Sequence, residues 1–432
     1  MPTLPWWAWI VGAVMILGLA AQMVVYGIRR AGESELAQVH ADIRAAGSLV
    51  TLDEWIATLP PTDLEANREL RAALLAFMDV PDLERSGSGI DAWLTSASAP
   101  TPAVDRLVDT SSASRARLRA ALADPDAHWG LAWTIPRSAT ARLPQEPDIP
   151  NLLACRNAAT ALMAAWRRDG QEHDLRAAAE LPRRVGSDGL IEAMIRVAVE
   201  AVVGQSILAH GWHSRTRPQP TPLTLRGRPA DRQHWTRMLR GERMMILASL
   251  VGNGIATRDG RAIPWNPDRW NEIFLPTDMA FWQRAIAHRE CDPYAPEIPF
   301  PEGRWPPRVI SAIVLPNTLE VAYTLHEHDA MLRARTILTD MLAALPPGAD
   351  ATAAAAVVGD AHPLLAPRDG GLALGIRILG PRSLRIAVRP EQDVPGLDPS
   401  RYRKVWESRR PMPRDRKGPI HQHGAAIDVD LP

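Results

Sequence analysis

The sequence predicts a mainly α protein, in which an N-terminal transmembrane helix precedes an irregular helical-hairpin bundle and a small C-terminal β-hairpin. Three observations carry this expectation. Leu4 to Ile28 contains no charged side chain and ends at Arg29 and Arg30. Between Asn151 and His210, apolar residues recur at three- and four-residue steps, the spacing of one helical face. From Leu372 to Val388 the period drops to two, the spacing of a half-buried strand.

The opening segment, 4–28, has about 25 residues, and at about 1.5 Å per residue it can cross a hydrocarbon core of about 30 Å. Trp6, Trp7 and Trp9 lie near one end and Tyr26 near the other, where amphipathic rings favour the headgroup layer. Gly18-Leu19-Ala20 has the small-residue character of a signal-peptide cleavage site. No Lys or Arg precedes the apolar run, however, and the run continues past Ala20, so a retained single-pass anchor is expected and the membrane becomes a partner. Arg29, Arg30 and Arg44 all follow the segment; the positive-inside rule draws the body toward the cytoplasm, although large domains translocate against a modest bias.

Composition excludes more than it identifies. The 49 basic and 49 acidic residues cancel, so no overall field attracts nucleic acid, and none is expected as a partner. Lys404 and Lys417 are the only lysines, and this Arg bias, together with abundant Ala and Pro, reads as genomic composition rather than chemistry. Cys155 and Cys291 supply neither a zinc site nor a disulfide framework. Cys155 lies on an apolar helical face and reads as a buried inert thiol, while Cys291 precedes Asp292-Pro293 in a loop-like stretch; a bridge between them would suit an oxidising compartment.

The chain divides into further regions. In 33–125, short helices are expected: Glu33 to Ala46 with a Leu36, Val39, His40 and Ile43 stripe ended by Gly47, a capping box of Thr51 and Glu54 opening a helix stopped by Pro60-Pro61, and helices over Leu64 to Phe77 and Leu107 to Leu122, with Ser86-Gly87-Ser88-Gly89 as a flexible connection. In 151–251, a helical-hairpin domain begins with Leu152, Cys155, Ala159, Leu162, Met163 and Trp166 on one face and breaks at Asp169-Gly170. It resumes with Leu175, Ala178 and Ala179 as far as Pro182, and after Gly186-Ser187-Asp188 with Ile191, Met194, Ile195, Ala198, Ala201 and Val202. Arg215 to Pro229 reads as a loop, and His234 to Val251 as a helix.

The segment 252–320 is Pro- and Trp-rich and expected to be irregular. In 321–391, a helix from Val321 to Leu345 stops at Pro346-Pro347-Gly348, and a hairpin follows with its turn at Gly380-Pro381-Arg382-Ser383. Pro and Arg dominate 392–432, which reads as a poorly ordered tail.

This order of segments, including Ala45-Ala46-Gly47-Ser48-Leu49-Val50-Thr51-Leu52-Asp53-Glu54-Trp55, the hairpin Leu152 to Val203, Gly241-Glu242-Arg243 and Arg333-Ala334-Arg335-Thr336, resembles a group of single-pass, membrane-anchored bacterial proteins of planctomycete type. The β element at the end is similar to that of type II secretion pseudopilins. In the group a Gly-Tyr-Pro-like turn follows the late helix, whereas here Pro346-Pro347-Gly348 does. The resemblance implies a body on the outer, periplasmic side of the inner membrane and attaches no activity to particular residues.

Candidate chemistry is sparse. On a helix, the imidazoles of His326-Glu327-His328-Asp329 point about 200° apart and cannot share an ion, so a solvated helix-surface role is expected. His421 and His423 would share one side of an extended segment, but no third ligand stands nearby. His210 and His213 read as helix C-terminal capping groups. Glu242, flanked by Arg240 and Arg243, reads as a structural ion pair with a lowered pKa rather than a general acid. There is no Gly-x-Ser-x-Gly elbow and no phosphate-binding glycine loop, and Asp259-Gly260 and Asp369-Gly370-Gly371 read as turns. Catalytic residues are thus unassigned, and neither metal nor cofactor is expected. With 15 Trp against 4 Phe and 4 Tyr, the expected function is a membrane-anchored envelope scaffold with a Trp-rich surface for a protein partner; the alternatives are a membrane-bound hydrolase or a pseudopilin-like component.

Overall fold

The computed structural model describes residues 6–59, 63–96, 98–130, 135, 150–185, 189–213, 232–264, 273–291, 318–346, 348–359, 362–366, 372–390, 398, 400–408, 420–423 and 425–431. The expectations for Pro60-Pro61, Gly186 to Asp188, the loop 215–229, Asp292-Pro293 and Asp369 to Gly371 lie outside the described residues, as do the side chains of Trp6, Trp7, Trp9, His213, Cys291, His421 and His423.

Helix α1 (Trp6–Ala45) is one unbroken helix of 40 residues. Sequence reading divides it at Arg29, but nothing between Ile28 and Glu33 removes a backbone donor, so the ladder continues. From Val11 to Ile28 its large apolar side chains, the half-buried Val25 apart, are exposed. One helix in the described chain is long and apolar enough to cross a membrane, and it is this one. Burial starts just beyond: Arg29, Gly32, Leu36, Val39 and Ile43 recur at alternating steps of three and four and face the body. The helix ends at Gly47, whose φ of +77° suits glycine.

Helix α2 (Leu52–Thr58) opens with the capping box: Thr51 Oγ1 accepts from Glu54 N at 3.1 Å and Glu54 Oε2 accepts from Thr51 N at 3.0 Å. Four helices follow: α3 (Leu64–Leu75), α4 (Pro81–Leu94), α5 (Pro102–Thr110) and α6 (Ser112–Leu122). Two expectations are corrected here. Ser86 to Gly89 is no connection but part of α4, which Pro81 starts and buried Leu83, Ile90, Trp93 and Leu94 hold against the core. The single helix over Leu107 to Leu122 is instead two helices meeting at the buried Ser111.

The hairpin domain consists of α7 (Leu152–Asp169), α8 (Glu172–Arg184) and α9 (Leu190–His213). Gly170, at φ +72°, terminates α7 by donating to the Trp166 carbonyl at 2.8 Å. Helix α8 passes Pro182 and ends only at Arg184, because a proline near a helix terminus removes little of the ladder. In α9 the expected face is right only in part: Ile195 is buried and Val202 packs on the core, but Ile191 is 46% exposed, while Glu192, Ala193, Arg196, Val199, Glu200 and Val203 are also buried. A helix that is apolar nearly all round does not declare its inner side.

Next come α10 (Arg232–Gly252) and α11 (Leu275–Cys291). The latter corrects the irregular reading of 252–320 and places Cys291 at a helix end. Pro276 sits in its first turn, where a missing N–H is harmless, and Leu275, Met279, Trp282 and Ile286 form its buried stripe. Helices α12 (Thr318–Ala344) and α13 (Ala351–Val358) lead into β1 (Leu374–Gly380) and β2 (Ser383–Val388), the expected hairpin. The expected tail is also ordered in part: α14 (Ser400–Glu407), β3 (Ile420–His423) and β4 (Ala426–Asp430) extend the hairpin to an antiparallel sheet of order β1-β2-β4-β3. Ala426, Ile427 and Val429 are buried in β4, and Arg385 of β2 forms a two-pronged pair with Asp428. The sheet leans on α12 and α13.

Buried apolar side chains gather in three clusters. One joins α3 to α9, a second joins α1, α2, α10 and α11, and the third joins α12, α13 and the sheet. Helix α9 enters all three, through Leu190 and Ala193, then Ile195, Val199 and Val203, then Leu208.

Candidate functional site

Because one side of α9 is buried along its length, the charged side chains on that side must find partners inside the protein. Glu192, Arg196 and Glu200 stand four apart and share one side of the helix. Arg196 Nε donates to Glu200 Oε1 at 3.0 Å, and the other carboxylate oxygen lies 2.8 Å from His328 Nε2 of α12. Arg335, two turns further along the same face of α12 as His328, is buried close enough for its charge to act on Glu200. Burial pushes Glu200 up, but His328 and Arg196 outweigh it and hold the carboxyl at about 2. Glu200 is therefore a fixed anion at neutral pH, unable to serve as an acid.

The imidazoles of His326 and His328 do diverge, as helical geometry requires, but the solvated role expected for this tetrad is corrected. His326 is buried, and burial lowers its pKa to about 4, so its ring is neutral. Asp329 pairs with Arg333 at 3.1 Å and Glu327 with Arg401 at 2.8 Å. Arg333 also donates to the Leu364 and Ala366 carbonyls, at 3.0 and 2.9 Å, and so ties α12 to the segment entering the sheet.

A second buried knot joins α1, α10 and α11. Arg243 Nε donates to Glu290 Oε1 at 2.7 Å, while its Nη2 reaches Ser48 Oγ at 3.0 Å and the Leu49 carbonyl at 2.6 Å; Ser48 Oγ also donates to Glu290. Trp235 and Thr236 donate to the carbonyls of Arg289 and Glu290 at 2.7 and 2.8 Å. Higher on the same contact, His40 Nε2 lies 3.1 Å from Gln283 Oε1.

Glu242 takes no part in that knot, which overturns its expected pairing with the flanking arginines. Neighbouring residues on a helix point about 100° apart, so Arg243 turns to Glu290 while Glu242 faces α9. There it accepts from Leu190 N at 2.9 Å and caps α9 beside Gly189, a close approach that a Cβ would crowd. Burial raises its pKa instead of lowering it.

Other sequence candidates lie apart. His210 is inside α9 rather than at its cap and packs on Trp166 with ring centroids 4.6 Å apart. Cys155 is a free, buried thiol pushed up to about 12 by desolvation. His421 and His423 fall on β3, opposite Asp428 and Ala426. Trp55, Trp93, Trp129, Trp166, Trp235 and Trp282 are buried and Trp406 is half-buried, so none of these forms the expected Trp-rich surface. Among the described residues no group of three His, Cys, Asp or Glu side chains converges as metal ligands.

The charged stripe of α9 was missed by reasoning from sequence, although Glu192, Arg196 and Glu200 at four-residue spacing in an apolar helix signal it. No protein-family model matches the chain, and no match is found among curated proteins or solved structures.

Proposed function

We propose that the chain is a membrane-anchored scaffold or protein-interaction module of the cell envelope, held by α1 in the inner membrane with its body on the periplasmic side. One observation carries this reading: a single helix is exposed and apolar over its first half and enters the core of the body over its second. An exposed apolar helix of this length is disfavoured in water and favoured in lipid. The reading gains support from the buried carboxylates Glu200, Glu242 and Glu290, each of which holds one helix to another.

The test is fractionation of cells expressing the full chain. It should remain with membranes through a high-salt and alkaline wash and leave them only with detergent. Recovery as a soluble species with residues 1–28 intact would overturn the anchor. A C-terminal reporter active only in an oxidising compartment should be active, and an inactive reporter would place the body on the cytoplasmic side.

A further inference from the structure

We infer that the body rests directly on the headgroup layer of the bilayer, meeting it with the exposed Pro264 and the segment leading to it, beside the N-terminal end of α11; this rests on reading α1 as the membrane span. The exposed apolar side chains of α1 end at Ile28. Four residues on, about 6 Å along the helix, Gly32 lies so close to Pro276 and Thr277 that a Cβ there would collide with them. Arg29, one residue past the apolar run, donates to the carbonyl of Ile263 and pairs with Glu33 at 2.9 Å. The headgroup region adds about 5–7 Å to each side of the hydrocarbon. The body therefore begins within headgroup depth, with no linker to hold it away.

Direction and rigidity follow from the contacts. Thr277 lies at Gly32, Arg284 at Glu35, Gln283 at His40 and Glu290 at Ser48, so α11 runs parallel to α1 and points its N-terminal end at the bilayer. Tyr26 and Arg30, exposed and bonded to each other at 2.9 Å, mark the same level on α1. Contacts from Gly32 to Ser48 hold the two helices in register, which leaves no swivel between span and body.

The experiment uses the full chain in phosphatidylcholine/phosphatidylglycerol nanodiscs with Cys291→Ser; Cys155 is buried and unreactive toward labels. Single fluorophores are placed by Pro264→Cys, Arg30→Cys, Arg44→Cys and Val14→Cys, each variant retaining the parent thermal transition. A headgroup spin-labelled lipid should quench the Pro264 and Arg30 sites alike and at least about threefold more than Arg44, whose position on α1 is roughly 18 Å beyond Gly32. Acyl-chain bromines should quench the Val14 site. Pro264 quenched no more than Arg44, with Val14 still quenched, would overturn the headgroup contact and leave the anchor standing. An unquenched Val14 would remove the anchor, and with it this inference.

Discussion

The knot at the anchor and the seam between α9 and α12 solve the same problem with different chemistry. In the knot, Glu290 is held by a guanidinium and a hydroxyl, and Arg243 also satisfies the Leu49 carbonyl. In the seam, Glu200 is held by a guanidinium and an imidazole, with the neutral His326 two residues before that imidazole. A guanidinium keeps its charge at any pH a protein meets, whereas histidine is the residue type that changes charge near neutrality. Each join also has a buried histidine whose pKa burial lowers, His40 in the contact of α1 with α11 and His326 on α12, so acid acts on both.

Removing a single partner from each site tests this contrast. Glu290→Ala leaves Arg243, 1% exposed, without its carboxylate, and should cost about 3–5 kcal/mol in urea unfolding of the detergent-solubilised chain. A loss below about 1 kcal/mol would mean that the knot is not what holds α1 to the body. Glu200→Gln keeps the shape and removes the charge facing Arg196 and His328; the expected loss is roughly 1.5–3 kcal/mol, measured in the same way.

The pH dependence has a defined sign. Burial lowers His326 from 6.5 to about 4, so below pH 6.5 the unfolded chain takes up a proton that the folded chain refuses, and stability falls until about pH 4. Glu200, lowered from 4.5 to about 2, extends the loss between those values. His40, lowered chiefly by burial, acts in the same direction, and Glu242, raised by burial, acts oppositely, because its contribution is lost as pH rises through its folded pKa. His326→Gln should therefore flatten the urea midpoint between pH 6.5 and 4 relative to the parent. An unchanged slope would show that the seam does not set acid sensitivity. The smallest effect belongs to an exposed pair, Arg176 with Glu172 at 3.0 Å: Arg176→Ala should change stability by less than about 0.5 kcal/mol, showing that burial rather than charge gives the other two sites their weight.

Local features of the fold were legible in the residues. Thr51 with Glu54, Gly170 and the alternation on either side of Pro381-Arg382 act within a few residues of themselves, so their reading needs no tertiary information. What distant partners decide was not legible. Helix α11 has a buried stripe at Leu275, Met279, Trp282 and Ile286, but the Pro and Trp around it mask the pattern until α1 lies alongside. Strand β4 becomes a strand because β2 and β3 flank it, and the cross-helix partners of Glu200, Glu242 and Glu290, namely His328, the Leu190 N–H and Arg243, are distant in sequence. The candidate site was nearly invisible for the same reason: Glu242 was singled out for its neighbours in sequence, yet its contact is the N-terminus of α9.

Strand β4 also has a temporal consequence. It lies between β2 and β3, yet its residues follow those of β2 by roughly forty positions, and at a synthesis rate of about 5–20 residues per second β2 leaves the ribosome about 2–8 s before its inner neighbour exists. During that interval one edge of the nascent hairpin has open backbone donors and acceptors, in a chain whose first helix has already been made. Arg385, which will meet Asp428, places a cation on that waiting edge, a feature known to discourage strands of neighbouring nascent chains from pairing there.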